Sequence, residues 1–133
     1  MSEAALALQM AMLACLRADD AVTAFVGDRV FDAAPRNAAF PYIAFGPARA
    51  SDWSTGTEDG SEHRITLHAW SRGRGKRECW EIMRAVEAAL GGMPALEGHT
   101  LINLRVEFTE AQREADGLTW RGTARLRAVT EPL

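Results

Sequence analysis

The sequence predicts an α+β fold, an antiparallel sheet of four to five strands with two main helices packed on one face. Three observations predict it. Residues 3–18 and the stretch ending at Leu90 carry apolar residues at helical spacing. Ser61 to Ser71, Leu101 to Thr109 and Leu118 to Val129 alternate apolar and polar residues with a period of two. The strands follow one another in hairpins instead of alternating with helices, which favours antiparallel pairing over βαβ units.

The first helix spans 3–18. Leu6, Met10 and Leu13 recur at i, i+4 and i+7, Leu16 extends the stripe, and Ser2 is the expected N-cap. A short helical turn, Asp20 to Phe25, ends at Gly27. Arg29 to Asp32 reads as a short strand, and Ala33 to Phe40 as a loop punctuated by Pro35 and Asn37. Pro41 to Arg49 is a strand with Tyr42, Ile43 and Phe45 as β-formers, followed by a polar loop, Ala50 to Gly60. In Ser61 to Ser71, Ile65, Leu67 and Ala69 alternate with Arg64, Thr66 and His68. After the basic turn Arg72 to Arg77, the second main helix places Cys79, Met83, Val86 and Leu90 on one face, and Gly91, Gly92 and Pro94 stop it. In Leu101 to Thr109, Ile102, Leu104, Val106 and Phe108 are expected on one face. Ala111 to Gly117 is a polar connection, and Leu118 to Val129 the last strand.

The length of 133 residues suits one domain, 1–133. An apolar fraction of 47% with a net charge of −3 excludes a disordered tail. Ala4 to Leu16, interrupted by Gln9, is too short for a membrane span, and Ser2 and Glu3 do not make the basic start of a secretion signal. Such a mildly acidic chain is a poor non-specific binder of nucleic acid. Fourteen of the fifteen basic residues are Arg, with Lys76 the one Lys. GC-rich codon usage explains that bias, and bidentate contacts to carboxylate or phosphate are the alternative. Cys15 and Cys79 sit in apolar helical patterns and read as buried thiols in a reducing cytoplasm.

No metal or cofactor motif is found. His63 and His68, five apart in one strand, point to opposite faces and cannot chelate one ion. Gly73-Arg74-Gly75 lacks the ending of a phosphate-binding loop and reads as a solvated turn. The carboxylate pairs lie in loops or caps, where nothing desolvates them for acid–base work. Trp53 in the polar loop marks either a contact surface or a fold-back onto the domain itself. Arg121, Arg125 and Arg127, interleaved with Thr119 and Thr123, make one charged face of the last strand. That face is a solvated surface or a subunit interface.

The ordered set of segments resembles the phage tail completion or tail terminator-like family of siphophages, prophages and gene transfer agents. The resemblance rests on Ala18-Asp19, Val22, Val26-Gly27, Arg29-Val30-Phe31, Phe40-Pro41-Tyr42-Ile43, Trp53 and His63 to Trp70. It continues through Val86 to Leu90 and Leu96 with Gly98. It implies a structural protein without catalytic residues, expected to form a hexameric ring at the head-proximal end of the tail tube. The ring ends tube polymerisation and docks the head connector. The implied partners are other copies, the tail-tube protein and the head–tail connector protein, with DNA passing through unbound, and no membrane or cofactor. Assembly in the bacterial cytoplasm, then residence in the tail or neck of a particle, is implied too.

A ring needs one patch to meet a different one. Arg121, Arg125 and Arg127, with Arg72, Arg74, Lys76 and Arg77, are the basic candidates. Glu58, Asp59 and Glu62 are the acidic ones, and Trp53 is a candidate contact to the tube or the adjacent subunit. Reversing Arg125 and Arg127 together is expected to impair assembly more than folding. The alternatives are a head–tail connector or stopper protein, or a small enzyme or ligand-binding module using His68, Arg105, Glu107 and Arg125.

Overall fold

The computed structural model describes residues 3–93 and 95–133, and the order of its elements follows the hydrophobic pattern closely. The helices are α1 (Glu3–Ala18), α2 (Asp20–Val26) and α3 (Gly75–Leu90). The strands are β1 (Val30–Phe31), β2 (Tyr42–Asp52), β3 (Ser61–Arg72), β4 (His99–Arg113) and β5 (Thr119–Pro132). Ser2 and Pro94, expected to cap and to stop helices, lie outside the described residues. Among the described residues no helix is long and apolar enough to cross a membrane.

The sheet runs β1-β2-β3-β5-β4. It is antiparallel except that β1 pairs parallel to β2, Val30 opposite Ile43. The loop 32–41 carries the chain back to the start of β2, where Arg29 Nε donates to the Pro41 carbonyl at 2.9 Å. Asp19 caps α2 by accepting from the Val22 amide at 3.0 Å. Gly27 then turns the chain at φ 60°, a conformation that glycine adopts without a Cβ clash.

All three helices feed one core. Alternate residues of β3 and β5, among them Ile65, Leu67, Ala69, Ala124, Leu126 and Ala128, are buried on the helix side. From α3 come Cys79, Ile82, Met83, Val86 and Leu90, as the spacing predicts. At Gly122 the helix approaches so closely that a Cβ would stand 2.9 Å from Met83 Cε and 3.1 Å from Cys79 Cβ. Both cysteines are free thiols, and each donates to a backbone carbonyl, Cys15 to Ala89 and Cys79 to Ala69.

Three expectations are corrected. α1 buries Ala4, Leu8, Met12 and Leu16, while Leu6 and Met10 are 45% and 58% exposed. The helix is apolar almost all round, so a second stripe, rotated from the expected one, faces the sheet. Bulges at Ile102 and Glu107 shift the β4 register, which leaves Phe108 on the face opposite Leu104 and Val106. Trp80, which its place in a regular element makes a candidate core or semi-core residue, is 43% exposed. Several boundaries also move: β2 runs on to Asp52, β4 begins at His99 and ends at Arg113, and α3 takes in Gly75, Lys76 and Arg77.

Candidate functional site

One sheet face carries the helices, and the other is open and polar. In β5, Arg121, Thr123, Arg125 and Arg127 point to the open face, as the alternation predicts. Antiparallel register sets each beside a defined neighbour: Arg121 opposite Trp70, Thr123 opposite His68, Arg125 opposite Thr66, and Arg127 opposite Arg64.

Glu62 organises the hairpin end of this face. Its carboxylate accepts from Arg127 Nε at 2.7 Å and lies 3.1 Å from Arg64 Nη1, while Arg64 Nε lies 3.0 Å from Glu107. The Arg127 and Arg64 hydrogen bonds hold the Glu62 carboxyl below its ordinary pKa. Glu62, expected as a free acidic partner for a neighbour, is therefore engaged inside the chain. Trp53 is brought to the same place, with its ring centroid 5.1 Å from the Arg127 guanidinium. It both folds back and stays 52% exposed, so a hydrophobic surface remains available beside the charge network.

The remaining arginines of the face also rest on aromatic rings. Arg125 donates to Thr66 Oγ1 at 3.0 Å and lies 5.6 Å from the Phe108 ring. Arg121 lies 3.2 Å from Glu114 and 5.8 Å from Trp70. Arg72 donates to Thr119 Oγ1 and lies 4.2 Å from Phe40. Asp116 accepts from the Thr119 hydroxyl and from the Leu118 and Thr119 amides, bonds that bring its pKa down to about 2.

The other predicted site residues lie elsewhere. Arg74 and Arg77 project from the start of α3 beside a shallow cleft of about 780 Å³, lined also by Phe25, Pro41, Glu78 and Glu81. Arg74 and Arg77 each approach a glutamate one turn on, Glu78 at 3.8 Å and Glu81 at 3.7 Å, and Lys76 is exposed. Glu58 and Asp59 sit at the hairpin tip. Burial raises the pKa of Glu131, and its contact with the Glu58 carboxyl raises it further.

His68, Glu107 and Arg125, named for the enzyme alternative, each pair with a different residue. His68 Nδ1 pairs with Thr123 Oγ1 at 3.1 Å, Glu107 with Arg64, and Arg125 with Thr66. Arg105 stands opposite Arg127 without an ion pair among the described residues. The histidines do take opposite faces. His63 is buried on the helix side, its Nε2 2.9 Å from Thr130 Oγ1.

Burial first, and then the His99 charge, depress the pKa of His63 from its ordinary 6.5. His68 is lowered too, by burial and then by Arg121. The unfolded chain thus takes up protons that the folded one resists. The stability these residues contribute is present above pH 6.5 and is lost as pH falls through the lowered folded values. Urea denaturation across this range is expected to show that fall. His63→Gln should make it shallower, with His68 accounting for the remainder.

A scan of protein families matches the tail completion protein gp17 family over residues 10–131. No curated protein matches. Among solved structures, a chain titled "Virion of native gene transfer agent (GTA) particle" is similar with a TM-score of 0.87 at 28% identity, over 98% of this chain and 99% of that one. A family match over nearly the whole chain, joined to that likeness in fold, identifies the chain as a member of the tail completion protein gp17 family of structural phage-tail proteins.

Proposed function

We propose that this chain is a tail terminator subunit, with residues 1–133 acting as one domain. In this reading, copies form a hexameric ring on the head-proximal end of the tail tube, stop its polymerisation and present a surface to the head connector. DNA passes through the ring unbound. The subunit assembles in the bacterial cytoplasm and ends in the neck of a phage-like particle. The observation that carries this reading is the likeness along 98% of the chain to a chain of a gene transfer agent particle.

The sheet supplies physical support. β4, 15 residues long, forms an edge of the sheet with one side unpaired in a single copy. A long free edge is a liability that assembly relieves. Trp53, the acidic tip residues Glu58 and Asp59, the basic turn Arg72–Arg77, and Arg121, Arg125 and Arg127 are the surfaces we assign to contacts with copies or with the tube.

Native mass spectrometry at micromolar concentration, with and without tail-tube protein, tests the ring. Electron microscopy of growing tubes tests the terminator role. The expected results are a sixfold ring and arrested tube growth when the chain is added. A strict monomer in both conditions would overturn the proposal. A ring that binds the connector but leaves tube length unchanged would replace it with a stopper role.

A further inference from the structure

The register of the open face brings together four arginines that are far apart in sequence. Arg49 stands opposite Arg64, Arg64 opposite Arg127, and Arg127 opposite Arg105. They form one transverse row across β2, β3, β5 and β4. At about 4.8 Å between strands, the row is roughly 14 Å long. Like charges placed directly opposite one another destabilise a sheet. Among the described residues, Glu62 offsets both inner arginines, Arg64 and Arg127, and Glu107 offsets Arg64. Arg49 and Arg105, at the ends, make no ion pair or side-chain hydrogen bond among the described residues. Within one copy, the row is left short of carboxylates.

The same chain has the complementary surplus. At the hairpin end, Glu3, Asp52 and Asp59 line a hollow of about 330 Å³, in which His99 is the one basic lining residue among the described residues. Beside it, burial first and then the Glu58 carboxyl raise the pKa of Glu131. Asp52, which accepts from the Ser54 amide at 3.0 Å, is held ionised by that bond.

We propose that the arginine row Arg49–Arg64–Arg127–Arg105 on the open sheet face of one copy is the docking surface for the carboxylate-lined hollow at the hairpin end of a second copy. The inference rests on the ring reading above and names the contact that reading lacks. Each patch carries unpaired charge that the other neutralises. The two differ in sign and position, so the contact is heterologous and propagates from copy to copy.

The test uses charge-swapped full-length chains in sedimentation velocity and native mass spectrometry over a salt series. One variant reverses the row ends (R49E/R105E) and the other reverses two carboxylates that line the hollow (E3R/D59R). None of these four side chains makes an ion pair among the described residues, so thermal melts should confirm that both variants fold. R49A/R105A serves as a milder second variant. Each charge-reversed variant alone is expected to lose association by about tenfold or more, since like charges then face each other. An equimolar mixture of the two should recover it, because the reversed row then meets the reversed hollow. Wild-type association should weaken as salt rises.

Variants that assemble like wild type would overturn the inference while leaving the ring intact. A mixture that fails to recover would overturn the pairing of these two patches. Full assembly by R49E/R105E, combined with loss of wild-type binding to a short duplex DNA in fluorescence anisotropy, would show the row to be a phosphate-binding surface instead. A wild-type chain that stays monomeric even with tail-tube protein would sink the ring reading itself, and this inference with it.

Discussion

Replacing Leu126 with alanine is expected to lower the unfolding free energy by about 3 kcal/mol, within the range measured for large-to-small core changes. Leu126 is buried to 1% exposure in β5, which is paired on both sides. Ile65 and Val106 stand opposite it, with helices covering that face. A strand held from two sides cannot close over the lost methyl groups, so both the transfer cost and the cavity cost remain. For a chain of this size, that corresponds to a drop in melting temperature on the order of 10 °C. Urea denaturation should show a lower midpoint with an unchanged slope, the sign of lost stability without a changed denatured state. Leu118→Ala is the control. Leu118 was expected on the same face as Leu126, but it lies at the end of the β4–β5 connection and is exposed. Its truncation should stay within about 0.5 kcal/mol of wild type.

That contrast shows what a period of two conveys. It identifies the inner face of β5 wherever the strand is covered, and says nothing of where the cover stops. The same limit explains why β2 reaches Asp52 and β4 reaches Arg113. Backbone pairing continues through polar residues that no core demands. α1 fails differently. With Leu6, Leu8, Met10, Met12, Leu13 and Leu16 in one helix, two stripes satisfy helical spacing, and only packing against the other helices and the sheet selects Leu8, Met12 and Leu16. α3 is amphipathic, with charge on one side, and its buried face was legible.

The site was legible in its parts and not in its arrangement. The alternation of β5 was enough to put Arg121, Arg125 and Arg127 on one face. Nothing local distinguishes Arg49 and Arg64. They gain meaning only when register sets them beside Arg127, and a one-residue slip would send an arginine to the other face. Sequence sets Arg105 two residues from Glu107, but the bulge at Glu107 decides its cross-strand neighbour. Glu62 was assigned to a partner for the same reason: its real partners, Arg127 and Arg64, follow from strand pairing across 65 residues and from spacing within β3.

The Glu62 pair also changes what reversal of the last-strand arginines should do. Arg127→Glu would set a second carboxylate against Glu62, remove the cation beside the Trp53 ring, and leave Arg64 as the only counter-charge. The hairpin from Asp52 to Ser61 is tied down at this point by Trp53, whose amide donates to the Gly60 carbonyl at 2.8 Å. Loss of the ring–cation contact together with the ion pair should therefore open the hairpin locally before the core is touched. In hydrogen exchange, the Trp53 and Glu62 amides should exchange roughly tenfold faster while those of α3 keep their protection, since stability is not uniform across a structure. Trp53 fluorescence should shift to the red as its ring loses the guanidinium. Arg105→Glu, at a position with no ion pair or side-chain hydrogen bond among the described residues, should leave both signals unchanged and reveal itself only in assembly. A double reversal at Arg125 and Arg127 thus mixes a folding defect at the hairpin with any interface defect, and the unpaired arginines at the ends of the row separate the two. If Arg127→Glu leaves hairpin exchange at the wild-type rate, the Glu62–Arg127 pair does not hold the hairpin, and Arg127 is as free for a partner as Arg105.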